Sequence, residues 1–397
     1  MLDPSAQAPE SKTFRRGTHR ACPPAETLAR VKPLMAAFGI TRVANLTGLD
    51  RLNIPVVMVC RPNARSSAVF HGKGLDLDAA RASGVMEAIE TWHAEHVDLP
   101  LRLGPARDMG RHATVDVERL PRLPESRFEP ELPMLWVEGE DLMAGTPAWV
   151  PFDVVHADGT LGPVPGSGCF SASTNGLASG NRYHEAVVHA LTEVIERDGT
   201  SIWHRLPPAR QAAARLDLRT VDDPGCRAVL DLLEAGAMDV AVWEITTDVG
   251  VPAFQCLIAD RTRQVAHIGT GAGCHPAREV ALLRALTEAA QVRMTYIVGS
   301  REDIAWADYA GAALERRRAS ARALLGAGAG ARAFDAAPTH ASASFEDDVE
   351  WLLGRLRAAG IAQAVAVDLT RPEFGIPVVR VIVPGLEGSD HHEGYLP

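Results

Sequence analysis

Apolar residues recur along this chain with two distinct periods. Runs rich in β-branched residues at "IPVVMVC" (54–60), "VAVWEIT" (240–246), "PAFQCLIA" (252–259), "AVAVDL" (364–369) and "PVVRVIV" (377–383) predict strands. Helical spacing predicts helices near 78–95, 183–205, 276–296, 309–325 and 346–359, and another from Pro24 to Phe38 with Thr27 near its start. The alternation of the two gives a mixed α/β (α+β) class. Residues 1–12 read as a disordered tail and 13–397 as a single domain, with "GAGAGARAF" (326–334) a flexible connector within it.

Three of the predicted helices interrupt their apolar pattern in the same way. On "SGVMEAIETW" (83–92), Ser83, Glu87 and Glu90 fall at i, i+4 and i+7 and so share one face. On 183–205, Glu185, His189, Glu193 and Glu196 fall at i, i+4, i+8 and i+11, within a sector of roughly 80° at 100° per residue. On 276–296, Arg284, Glu288 and Gln291 repeat the i, i+4, i+7 spacing. Each stripe runs between residues that suit a core, such as Val85, Ile89, Leu191, Val194, Leu283 and Leu286.

Two explanations compete. Amphipathic helices have solvated faces, and one stripe alone can be read either way. Surface faces, however, usually mix lysine with glutamate across half the helix, whereas these stripes are narrow and lack lysine. If the helices converge, several carboxylates become buried together, and buried carboxylates need a cation or a partner. The pairs Glu87/Glu90 and Glu193/Glu196 offer oxygen ligands to a hard cation, foremost Mg²⁺. "ETWH" also gives Glu90-x-x-His93, half of a di-iron signature, but no second E-x-x-H accompanies it. His93 therefore reads as an ordinary half-buried or surface histidine, and oxygen ligands beside Arg197 and Arg284 favour Mg²⁺ holding a nucleotide.

Composition narrows the field. A net charge of −10 across 397 residues argues against a nucleic-acid binder. No run of eighteen apolar residues spans a membrane, and the start lacks a signal-peptide pattern. The six cysteines form no C-x-x-C pair, which fits a reduced cytoplasmic protein. "TNGLASGN" and "FHGKGLD", with Lys73 between glycines, match neither a P-loop nor a dinucleotide fingerprint, yet each leads into a helix whose start can face an anion. The basic run Arg316–Arg318 reads as a solvated helix face.

Taken in series, "GKG" with "ASGVMEAIE", "TNGLASGN…EAVVHALTEVIERD" and "LLRALTEAAQVR" resemble the YcaO family of ATP-dependent peptide-backbone-modifying enzymes, over roughly residues 50–390. The resemblance implies a YcaO-type ATP-binding fold with helices packed on antiparallel or mixed sheets, and ATP and Mg²⁺ as cofactors. By similarity Glu87, Glu90, Glu193 and Glu196 would hold Mg²⁺. Lys73, Ser83, Asn181, Glu185, Arg197, Arg284 and Glu288 would join them around the nucleotide, with Gln291, Thr27 and the "GTHR" region as further contacts. The family phosphorylates a backbone amide oxygen, which turns a poor leaving group into a good one.

The attacking nucleophile sets the product: azoline, amidine or thioamide. Azoline-forming members resemble one another in a proline-rich carboxyl terminus, whereas this sequence reads "DHHEGYLP" there. "RRGTHRACPPAETL" and "ITRVANLTGLDRLNIPVV" look more like members that work with a TfuA-type partner in thioamidation. The expectation is a cytoplasmic homodimer that modifies a peptide or protein substrate with external sulfide and a TfuA-like partner. The alternatives are azoline or amidine formation, and a non-catalytic ATP-binding accessory factor of a protein methylthiotransferase.

Overall fold

The computed structural model describes residues 10–388, apart from 110–112, 172, 263–266, 329 and 387. Helix α1 (Pro24–Val31) precedes an antiparallel sheet of β1 (Arg42–Asn45), β2 (Val56–Cys60) and β3 (Val69–Lys73). Helix α2 (Leu77–Glu95) follows, then β4 (Leu101–Gly104), β5 (Ala113–Thr114), β6 (Met134–Asp141), β7 (Thr146–Pro151) and β8 (Leu177–Ser179). Next come α3 (Tyr183–Arg205), α4 (Pro208–Ala213) and α5 (Pro224–Ala235). A second antiparallel sheet, β9 (Met238–Glu244), β10 (Ala253–Asp260) and β11 (Gly269–Cys274), leads to α6 (Arg278–Val298). The chain continues through α7 (Trp306–Tyr309), α8 (Gly311–Gly326), α9 (Phe345–Ala358), β12 (Val365–Asp368) and β13 (Val378–Ile382).

The third sheet has seven strands in the order β5-β7-β6-β12-β13-β8, with β4 also on β6, and is antiparallel except for the β5–β7 pair. The mixed α/β class with helices on antiparallel sheets is thus observed. Each stripe-bearing helix lies on a sheet. The core around α2 buries Val85, Ala88 and Ile89, that around α3 buries Ala190, Leu191 and Ile195, and that around α6 buries Leu282, Ala285 and Leu286. Burying a leucine or isoleucine side chain stabilises by about 1.5–3 kcal/mol, so packing fixes the rotation of each helix and hence where its polar stripe points.

Two close approaches set how near the helices come. A Cβ on Gly72 of β3 would lie 2.0 Å from the Ala80 carbonyl oxygen of α2. Cβ atoms on Gly271 and Gly273 of β11 would lie 2.4 and 2.1 Å from the carbonyls of Ala285 and Ala281 on α6. Only glycine fits at such separations.

Several expectations are corrected. The helix predicted to reach Phe38 ends at Val31 and tightens into a 3₁₀ turn at Lys32–Leu34, because Pro33 has no N–H to continue the ladder. Of the predicted tail 1–12, residues 1–9 lie outside the described residues, but residues 10–12 are anchored. Ser11 bridges Ser344, the Glu10 N–H donates to Glu346, and the buried Lys12 pairs with Asp348. Within the connector at 326–334, Leu216 bridges Arg332 and the Ala331 N–H donates to Arg215. The "DHHEGYLP" stretch, 390–397, lies outside the described residues. No described helix is long and apolar enough to cross a membrane.

Candidate active site

The three stripes face one another. Glu87 and Glu90 come from α2, Glu193, Glu196 and Arg197 from α3, and Arg284 and Glu288 from α6. Lys73, the last residue of β3, reaches Glu288 at 2.6 Å. Arg284 lies 3.9 Å from Glu196 and 3.2 Å from His189 Nε2, and Arg197 lies 3.6 Å from Glu193. Donors from β8 and β11 complete the frame. Ser179 donates its N–H and hydroxyl to Glu90 at 2.8 and 2.9 Å, and the Cys274 N–H donates to Glu196 at 2.9 Å.

Electrostatics sets this group apart from solvated carboxylates. Burial raises Glu87 to about 7, with Glu193 and Glu288 adding to it and Lys73 and Arg301 opposing. Burial raises Glu90 to about 8, helped by Glu87 and Glu193. Glu196 is raised to about 7 and Glu193 is also raised, in both cases by burial first. Glu288 goes the other way: burial alone would raise it, but Lys73, Arg197 and Arg284 hold it below its ordinary value. His189 is held neutral by burial and by Arg284, so it adds no cation. Carboxylates that share a field and lack counter-charge bind protons instead.

The remaining expected residues form a flank. At the start of α3, Asn181 Oδ1 accepts from Thr27 Oγ1 at 2.9 Å and from Arg30 at 3.0 Å. Glu185 lies 3.5 Å from Arg20 and accepts from the Asn181 N–H at 3.1 Å. Two helical turns separate Glu185 from Glu193, about 12 Å, so this pair lies beside the carboxylate group and is not part of it. Ser83 is half-buried one turn before Glu87, and Gln291 is half-buried one turn after Glu288. His93 is 1% exposed, so the expected half-buried or surface position is corrected. Its Nδ1 bonds the Ile89 carbonyl at 2.8 Å, and its ring lies among Phe38, Trp92 and Phe374. In the basic run, Arg317 and Arg318 pair with Asp308 and Glu315 at the surface.

Sequence reasoning missed three cations: Arg30, Arg301 and Arg380. Arg20 closes the "GTHR" region expected at the nucleotide, whereas Arg30 lies on the predicted helix beyond it and Arg301 acts on Glu87 from beyond α6. Arg380 lies inside "PVVRVIV", where a lone charge in an apolar strand was the available signal; it is 3% exposed and acts on Glu193.

The residues present fit a magnesium nucleotide. Among the described residues, the trio of ligand atoms all within 4.8 Å of one another is Glu10, His184 and Glu346, at the amino-terminal anchor. No three of the four glutamates close up that far. Mg²⁺ is commonly held by one or two carboxylates plus phosphate oxygens and waters, which matches carboxylates spaced around a gap. Lys73, Arg197 and Arg284 could supply charge for the phosphates.

The family model "YcaO cyclodehydratase, ATP-ad Mg2+-binding" matches residues 71–387. The chain belongs to the YcaO family. Its relatives include a protein of Rhizobium leguminosarum bv. trifolii described as the uncharacterized protein in the tfuA 3′ region, 38% identical over 377 residues, 93% of this chain and 88% of that one. A protein of Methanothermobacter thermautotrophicus is 36% identical over 93% of this chain and 95% of its own. Among solved structures, YcaO from Methanopyrus kandleri bound with AMPPCP and Mg²⁺ is 27% identical, with a TM-score of 0.76 over 95% of this chain and 94% of that one. ATP and Mg²⁺, expected from the sequence motifs, are the ligands this family's model describes.

Proposed function

We propose that this YcaO protein activates a backbone amide of a ribosomally made peptide or a protein at the expense of ATP, and that sulfide then replaces the amide oxygen to give a thioamide. The observation that carries the activation step is the set of carboxylates raised toward neutrality across a gap flanked by the half-buried cations Lys73, Arg197 and Arg284. In this reading Glu87, Glu90, Glu193 and Glu196 hold Mg²⁺. Lys73, Arg197 and Arg284 meet phosphate oxygens, Glu288 orients Lys73, and Ser83, Asn181 and Glu185 border the nucleotide.

Mg-ATP, when bound, supplies an electrophilic phosphoryl group and the charge that offsets the carboxylates. The chain's residues orient that group and exclude water. The amide oxygen bonds to phosphorus as ADP departs. Hydrosulfide then adds to the amide carbon, the C–O bond breaks, phosphate leaves carrying the hydrosulfide proton, and C=S remains.

A TfuA-like partner is supported by the likeness to the protein of the tfuA 3′ region, and sulfide as nucleophile by the resemblance of the two opening segments to TfuA-type members. The setting is a cytoplasmic homodimer, which sedimentation would check. The test is reconstitution with candidate precursor peptides, ATP, Mg²⁺ and sulfide. Fragment mass spectra should place one sulfur where one backbone oxygen was, and omitting sulfide should abolish the product. A second reading, azoline formation by the same activation, is favoured by the cyclodehydratase description of the family model. Loss of water at Cys, Ser or Thr without sulfide would establish it in place of thioamidation.

A further inference from the structure

Arg380 is the one charged residue of β13, and it acts on Glu193 of α3 through charge without a hydrogen bond between them. Among the described residues no hydrogen-bond or ion-pair partner reaches its side chain, and its Nε is buried without an acceptor. The other deeply buried arginines differ. Arg61 holds Glu95 at 2.5 Å and Arg293 holds Asp50 at 2.7 Å. A guanidinium stripped of water and left without a hydrogen-bonded acceptor is costly to keep, so its position calls for a ligand.

Beside Arg380 is a cavity of about 60 Å³, also lined by Asn175, Val194 and Val381. Asn175 Oδ1 is likewise buried and lacks a donor. Glu193, the residue before Val194, is the charge that acts on Arg380. The cavity therefore adjoins the carboxylate group from the β13 side of α3, whereas Arg284 and Glu288 approach from α6. Burial brings Arg380 down to about 10, so it remains a cation at neutral pH.

One unpartnered donor and one unpartnered acceptor on one small cavity complement a secondary amide, which offers one C=O and one N–H. A phosphate fits worse, because the Asn175 oxygen would repel it. We propose that Arg380 and Asn175 form the subsite for a backbone amide of the substrate chain. The substrate carbonyl accepts from the guanidinium, and the substrate N–H donates to Asn175 Oδ1. This rests on the peptide-modifying reading above and deepens it: the subsite fixes the direction in which the substrate backbone crosses the site of phosphoryl transfer.

The test uses the full chain loaded with Mg²⁺ and a non-hydrolysable ATP analogue, titrated with N-acetylglycine N-methylamide. The Arg380 Nε–H resonance is followed in protein labelled with ¹⁵N-arginine, its assignment fixed by its loss in Arg380→Lys. A saturable shift is expected, and Asn175→Ala should weaken the binding about tenfold. Calorimetry should find analogue affinity unchanged in Arg380→Lys. Asn175→Ala, at a half-buried position, keeps the test decisive should Arg380→Lys fail to fold, the resonance then being assigned by that titration shift. Absence of a shift overturns the proposal, as does an undiminished affinity in Asn175→Ala. A stronger response to inorganic phosphate makes the site an anion site instead, and loss of analogue binding in Arg380→Lys assigns the arginine to the nucleotide. If the wild-type chain fails to bind the analogue, the ATP reading falls, and the amide titration without nucleotide still decides the subsite.

Discussion

Two sets of buried charges lie within this molecule and behave in opposite ways. Under the first sheet, Arg61 pairs with Glu95 at 2.5 Å while Glu95 also accepts from the Ser66 N–H and hydroxyl at 3.0 and 2.5 Å. Between α2, α3 and α6, Glu87, Glu90 and Glu196 are instead pushed up to between about 7 and about 8. Both sets desolvate carboxylates. The first gives each its counter-charge from within the fold, and the second leaves room for one from outside. Buried charge that is paired holds architecture together, and buried charge left short of a partner marks where a ligand belongs.

The contrast is broken most forcefully at Glu193. Glu193→Gln keeps the volume and removes the charge, so ATP turnover with peptide should fall by about 10⁴-fold, with Mg-ATP binding by calorimetry weakened sharply and the melting temperature of the ligand-free chain preserved. Normal binding in this variant and in Arg284→Ala would remove the nucleotide site from this position. Arg61→Met should do the reverse. It strands Glu95 and should cost about 3 kcal/mol of stability in denaturant unfolding, without altering nucleotide affinity in the molecules that remain folded.

A pH series sharpens the comparison. Carboxylates whose folded values exceed their unfolded ones stabilise the fold while protonated, and that contribution is lost as pH rises through the folded values. The ligand-free chain should therefore melt progressively lower between about pH 5 and 8. Mg-nucleotide should raise the melting temperature most at the upper end, where the carboxylates are free of protons. A flat ligand-free profile would show that the group is solvated. The smallest effect is expected from Glu90→Gln. Its side-chain oxygen can still accept from Ser179, and removing one like charge should flatten the pH trend and stabilise the ligand-free chain at pH 8 by about 1 kcal/mol.

The stripes were legible because helical period converts spacing into direction: Glu87 with Glu90, and Glu193 with Glu196, were placed on their faces before any coordinates. So were the strands at 54–60 and 377–383, whose apolar runs have no other use. Less was visible where the signal is not apolar. Strand β11 is "GTGAGC", and alternating glycines carry no apolar signal although they are what lets α6 close on the sheet. The short strands β4 and β5 carry too few residues for a pattern. Arg380 is hidden for a different cause, since the valines around it carry the strand signal and mask a single charge. Glu10–Lys12 looked like tail because composition cannot show that Asp348 and Glu346 wait on α9.

The glycine strand also limits how this protein can change over time. A single methyl added at Gly271 or Gly273 would push α6 off β11 and carry Arg284 and Glu288 with it. Drift in the identity of the charged side chains is therefore geometrically cheap, while drift in the rail beneath them is not. A mutational scan should find positions that never touch a ligand to be as intolerant as those that do. Tolerance maps of this chain would then trace the seam between helix and strand as sharply as they trace the chemistry.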